Sequence, residues 1–153
     1  MNKQAILDAI LASLTKDLEA VTRGARDSAA AASDPDSKAE NKYDTRTLEA
    51  SYVARGQAQR VVELQEAVQI FGGLSGNDCE PGAAITLGAL VTLNGEDHYY
   101  VGPASGGTAV FWEGQEILVV TPLAPLGQKL LGKRAGEKVI LRPGLTAVIS
   151  AVR

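Results

Sequence analysis

Asp34, Asp36, Glu40 and Asp44 fall within eleven residues of one another, with Lys38 and Lys42 as the opposing charges. Carboxylate oxygens at this density suit Mg²⁺, which takes oxygen ligands and keeps coordination positions open to outside groups. Carried at the end of a projecting element, such acids can complete a Mg²⁺ site that a partner holds. The same residues have a second use. Asp34 before Pro35 reads as a helix N-cap followed by proline at the first helical position, and Ser37-Lys38-Ala39-Glu40 reads as a capping box.

The other reactive side chains are sparse. His98 is the chain's one histidine; with no Cys/His metal spacing around it, it is expected as an exposed strand residue. Cys79, the single cysteine, has no neighbouring histidine to activate it as a nucleophile. Phe111, Trp112, Tyr99 and Tyr100 lie in strand-like runs and are expected in a core, with a ligand pocket as the other use for them. Lys129, Lys133, Arg134, Lys138 and Arg142 form a local basic cluster, either a solvated face or a contact for an acidic partner. The segment 102–107 is glycine-rich but lacks the helix and lysine of a phosphate-cradling loop.

Two long amphipathic runs must position the acids. Leu7, Leu11, Leu14, Leu18, Val21 and Ala25 recur at alternating steps of four and three, with Ile6 and Ile10 broadening the stripe. A second run has the same alternation through Tyr43, Thr47, Ala50, Ala54, Gln57, Val61, Leu64, Val68 and Phe71. Neither run contains proline. Gly56 costs the second helix about 1 kcal/mol relative to alanine. Joined by the polar turn 32–40, the two seams satisfy each other by packing antiparallel. With about 28 residues per helix, such a hairpin is roughly 40 Å long. Its apolar positions thin toward the acidic turn.

After a Gly/Pro/Asn-rich stretch the period changes to that of strands. The runs 85–93, 99–101, 108–112, 117–120, 139–141 and 146–152 are short and β-branched or aromatic. Asn94-Gly95, Gly106-Gly107 and Glu113-Gly114 supply turns. The segment 126–131, closed by Gly132, reads as a short helix. The expected organisation is α+β: a hairpin domain over 1–73, a linker over 74–84 and a small, mostly antiparallel β domain over 85–153.

Composition narrows the classes. The 153 residues are 45 % hydrophobic and 22 % charged, with a formal net charge of −3. That balance lacks the basic excess of a general polyanion binder. A lone cysteine fits a reducing cytoplasm, and no apolar window reaches membrane-spanning length.

The segment 122–139 then gives a resemblance. Pro125-Leu126-Gly127, Leu130-Leu131-Gly132-Lys133, Gly136-Glu137 and Val139 match the pattern S-P-L-G-x-x-L-(L/I)-G-K-x-x-G-(D/E)-x-V. This resembles the C-terminal domain of the bacterial Gre-type (GreA/GreB) transcription elongation factors. The resemblance implies an FKBP-like fold for the β domain and a coiled-coil hairpin that enters the secondary channel of RNA polymerase. It further implies a cytoplasmic monomer that docks on polymerase core through surface near Leu126, Gly127, Lys129 and Lys133, without reading nucleic-acid sequence. It implies no cofactor of the chain's own and no enzymatic activity. Asp36 and Glu40, with Asp34 and Asp44 behind them, would share a Mg²⁺ with the polymerase, which cleaves its own backtracked RNA.

The turn departs from that family. The Gre pattern G-D-L-(K/S)-E-N-x-E-Y sets Asp and Glu three apart, whereas here Asp36 and Glu40 are four apart. Aligning Asp36 and Tyr43 places Ala39 where the second acid belongs, and aligning Glu40-Asn41 displaces Asp36. Three other readings stay open: a channel-occupying regulator that does not stimulate cleavage, an FKBP-like prolyl isomerase or chaperone, and an oligomeric coiled-coil scaffold.

Overall fold

The computed structural model describes residues 1–33 and 45–153. Asp34, Asp36, Glu40 and Asp44, and the capping residues 34–40, lie outside the described residues. Helix α1 covers Lys3–Ser33 and α2 covers Thr45–Gly72. The Asn2 carboxamide oxygen accepts the Ala5 backbone N–H at 3.1 Å and so caps the start of α1. The chain divides into two compact units, Leu14–Val68, and Met1–Ser13 with Gln69–Arg153.

In the first unit the two helices run antiparallel. Gly24 faces Gln57: a Cβ on this glycine would stand 3.0 Å from the Gln57 amide nitrogen. Farther along, a surface cavity is lined by Leu18, Thr22 and Arg26 of α1 with Gln65 of α2. The seam follows the expected spacing. Leu14, Leu64 and Ala67 are buried, while Leu18, Val21, Ala25, Ala54, Gln57 and Val61 are half-buried. Burial therefore weakens along the seam as leucine gives way to smaller and polar residues.

The second unit contains a six-stranded sheet: β1 Leu90–Leu93, β2 Asp97–Val101, β3 Ala109–Trp112, β4 Gln115–Val120, β5 Lys138–Arg142 and β6 Leu145–Val152, in the order β3-β4-β2-β1-β6-β5. Neighbours are antiparallel except β2 and β4, which run parallel with His98 opposite Ile117 and Tyr100 opposite Val119. The Asn94-Gly95 and Glu113-Gly114 turns form as expected, with all four residues at φ between 51° and 82°. That is the left-handed backbone that tight hairpins require.

Register fixes the two faces of the sheet. On one face Val91, Leu93, Val101, Val120, Val139, Ala147 and Ile149 gather with Ile85 and Leu130 into a core, which the short helix α3, Pro125–Leu130, covers. On the other, Tyr100 is fully buried and meets Phe71 of α2 at 6.1 Å between ring centroids.

Three expectations are corrected. The first strand does not begin at residue 85. A turn with Gly88 at φ 81° intervenes, and Ile85 instead exchanges backbone hydrogen bonds with Gly132 and Lys133. His98 is not exposed but 6 % accessible; its Nδ1 is hydrogen-bonded to the Thr92 hydroxyl across the strand pair at 3.1 Å, and its Nε2 is buried without a partner. Phe111 is not in the core; it is 70 % exposed, on strand β3 at the sheet edge.

Candidate functional site

Strand β4 ends at Val120, and the chain turns through Thr121, Pro122 and Leu123 into α3. Pro125 takes the first helical position, where its missing N–H is no loss. Ala124 has the extended backbone of an N-cap, φ −70° and ψ 148°, but no side chain that could accept a hydrogen bond. The start of α3 is therefore set by proline and by backbone bonds, Ala124 N–H to Thr121 O at 3.0 Å and Gln128 N–H to Ala124 O at 3.0 Å.

Most of the matched motif residues support this corner. Gly127, expected on the partner surface, is buried. A Cβ there would lie 1.9 Å from the Thr121 carbonyl oxygen, so the position admits only glycine unless backbone moves. Leu130 is fully buried in the core. Gly132 ends the helix at φ 78° and donates its N–H to Ile85 O at 2.9 Å. Glu137 accepts the Arg134 backbone N–H at 2.5 Å and pairs with Lys133 at 3.5 Å, closing the turn into β5. Val139 then enters the core.

The remaining residues form the outer surface. Leu126 is half-buried against the core. Lys129, exposed, donates from Nζ to the Leu141 carbonyl at 2.8 Å and ties α3 to β5. Lys133 is half-buried beside Glu137. Arg134 donates to the Gly82 carbonyl, and Lys138 and Arg142 are exposed without an ion pair among the described residues. The basic cluster is thus partly absorbed by backbone carbonyls and one carboxylate. Between Pro122 and Pro125 stands Leu123, 87 % exposed. Sequence reasoning passed over it, although a leucine between two prolines, outside any periodic run, was the visible signal.

Lys3 is a second residue that periodicity did not single out. It is 5 % accessible, and its Nζ donates to the Asn77 carbonyl at 2.7 Å with the Cys79 sulfur 3.8 Å away. The ammonium thus fastens the start of α1 to the segment that follows α2. Cys79 is half-buried and packs against the sheet core. Burial, and after it the Cys79 charge, push the Tyr100 phenol up to about 12.

Tyr99 and Trp112 are each half-buried but on opposite sheet faces by register, Tyr99 level with Leu118 and Trp112 on the side of Val110. They do not form one aromatic pocket. Among the described residues, no group of three or more His, Cys, Asp or Glu side chains could hold a metal ion, and no helix is long and apolar enough to cross a membrane.

No protein-family profile matches the chain, and no curated protein is similar to it in sequence. Among solved structures, the chain is similar to GreA factor homolog 1 (Gfh1) of Thermus thermophilus, with 21 % identity, 95 % of each chain covered and a TM-score of 0.37. It is similar to Thermus aquaticus Gfh1 at 19 % identity over 95 % of each chain, TM-score 0.38. A further structure of the transcription factor Gfh1 is 18 % identical, covers 95 % of this chain and 94 % of its own, and has a TM-score of 0.39.

Proposed function

We propose that this chain is a Gre-type factor that binds RNA polymerase core, directs its antiparallel helix pair into the secondary channel, and docks its β domain through the surface around Leu123, Leu126, Lys129 and Lys133. The observation that carries this reading is the 125–139 motif. Its residues build one particular corner, in which proline and glycine set α3, the Lys133–Glu137 pair closes the turn into β5, and exposed Lys129 ties α3 to β5, with Leu123 left outside. An exposed leucine beside lysines suits a partner surface that is apolar with an acidic rim. The pair of long helices ahead of it, joined by the acid-rich connector, supplies the second part expected of such a factor.

In this reading the chain catalyses nothing itself. Asp36 and Glu40, with Asp34 and Asp44 behind them, are the carboxylates offered to a Mg²⁺ shared with the polymerase, an ion that would activate water as a Lewis acid. A second reading has its own support: with Asp36 and Tyr43 aligned to the Gre pattern, Ala39 stands where its second acid belongs, which favours a factor that occupies the channel without stimulating cleavage.

The test is RNA cleavage in a backtracked elongation complex of the cognate polymerase, with binding measured alongside. Leu123→Ser is expected to weaken binding without loss of fold. Cleavage that disappears in Asp36→Ala or Glu40→Ala while binding persists identifies a cleavage factor and its acid. Binding without cleavage in the wild type identifies a channel occupant. Absence of binding refutes both.

A further inference from the structure

Away from α3, the same sheet face carries an uncovered acidic groove. Tyr99 is level with Leu118 on the parallel neighbours β2 and β4, so Asp97 and Glu116, two residues before each, stand side by side on that face. Their Cβ atoms are spaced by about 5 Å, where like charges destabilise a strand pair. Glu96 adds a third carboxylate, and the cavity these residues line, about 420 Å³, has Tyr99 and Leu118 on its wall. None of the three acids has a cationic partner among the described residues. Asp97 and Tyr99, two apart on β2, share this face, and burial, and after it the charge of Asp97, raise the Tyr99 phenol above its usual range. Phe111 lies directly across from Glu116 on the edge strand β3, its ring largely in solvent.

We propose that this groove binds an extended polypeptide segment of a partner through a basic side chain seated between Asp97 and Glu116 over Tyr99, and an apolar side chain two residues away packed on Phe111. The charges decide the class of occupant. Two facing carboxylates with no counter-ion cost stability that a guanidinium or ammonium restores, and an aromatic wall suits the cation and its alkyl stem. The spacing decides the pattern. From Phe111 to the midpoint of Asp97 and Glu116 is one and a half strand spacings, roughly 7 Å. Same-side residues of an extended chain repeat at about the same interval. The groove is distinct from the α3 surface, and the inference does not rest on the polymerase reading.

The test is an amide chemical-shift titration of the full chain with the capped peptide acetyl-Leu-Ser-Arg-Ser-Leu-amide, which presents leucine two residues to either side of arginine. The control peptide carries glutamate in place of arginine. Shifts are expected at Asp97, Tyr99, Phe111, Glu116 and Leu118 with the arginine peptide alone. Affinity should fall about tenfold in the Asp97→Asn/Glu116→Gln double variant, as two exposed ion pairs warrant, and should fall again in 0.5 M salt. The double variant should melt no lower than the wild type, because it removes a repulsion; weaker binding is then not a folding defect. No shifts at millimolar peptide, equal shifts with the glutamate peptide, or undiminished affinity in the double variant would overturn the proposal. So would the same shifts appearing with protein concentration alone, since the occupant would then be a second copy of this chain.

Discussion

Gly127→Ala separates the supporting role of the 125–139 motif from its contact role. The added Cβ would stand 1.9 Å from the Thr121 carbonyl oxygen, 2.7 Å from the Thr121 carbonyl carbon and 3.3 Å from Pro122 Cα. All three neighbours are backbone, so no rotamer change relieves the clash. The carbonyl must retreat by more than an ångström, yet it is fixed by the N–H of Ala124. Overpacking of this kind costs about 3 kcal/mol. Alanine recovers up to about 1 kcal/mol of helix propensity, leaving a net loss of about 2 kcal/mol. The unit containing the sheet has close to a hundred residues, for which that loss lowers Tm by roughly 8–16 °C. The chain's one tryptophan, Trp112, lies on β3, so its fluorescence reports the melting of this unit directly. At a temperature where both proteins are folded, Gly127→Ala should bind polymerase within about twofold of wild type, whereas Leu123→Ser should melt normally and bind worse. A Tm within 2 °C of wild type would refute the steric argument and return Gly127 to the partner surface.

Two further outcomes follow from the same corner and from the buried Tyr100 ring. Ala124→Ser should raise Tm by roughly 4 °C, because the hydroxyl would accept a free N–H of the first turn of α3, a gain of about 0.5–1 kcal/mol; an unchanged melt would contradict the N-cap assignment. Tyr100 keeps its proton in the folded protein above pH 10, where the unfolded chain releases it. Its contribution is therefore complete below pH 10 and lost as pH rises toward 12, on the order of 2 kcal/mol in all. Tyr100→Phe should flatten that alkaline decline, read by melts between pH 9 and 12. It should change neutral-pH stability by less than about 1 kcal/mol, since the buried hydroxyl has no partner to lose.

The helices were legible because their signal is local. Leu7, Leu14 and Leu64 are buried at the heptad positions that mark them, and the turns at Asn94-Gly95 and Glu113-Gly114 follow from residues that tolerate positive φ. Pairing between distant strands left no comparable mark. Nothing around His98 distinguishes an exposed strand from one flanked by β1 and β4, so its burial emerges only with the parallel β2–β4 pairing. Lys3 was opaque for the opposite reason. A lysine at the start of an amphipathic helix belongs in solvent unless a carbonyl from elsewhere reaches it, and Asn77 does. The motif was legible as a pattern but not as a division of labour. Gly127 and Leu130 are as prominent in it as Lys129, yet only the lysine faces outward.

That division moves the functional question to the connector. The motif accounts for how a β domain of this kind is built, and the same corner would serve a cleavage factor and a channel occupant equally. In the proposed reading, what separates them is the sequence spacing of two carboxylates. Mg²⁺ holds its oxygen ligands at about 2.0–2.1 Å in near-ideal octahedral geometry. One extra residue between two acids lengthens the chain between them by up to about 3.5 Å, more than one such coordination bond. Asp36 and Glu40 are four apart, so placing either one on a pattern set three apart shifts the other by one residue. Deleting Ala39 restores the shorter spacing without touching either acid. The deletion variant should stimulate cleavage of backtracked RNA at least tenfold over the wild-type chain at equal occupancy of the polymerase, a gain of about 1.4 kcal/mol in barrier. If the two proteins cleave equally at matched occupancy, the spacing does not decide the outcome, and the explanation must be sought in Asp34 or Asp44.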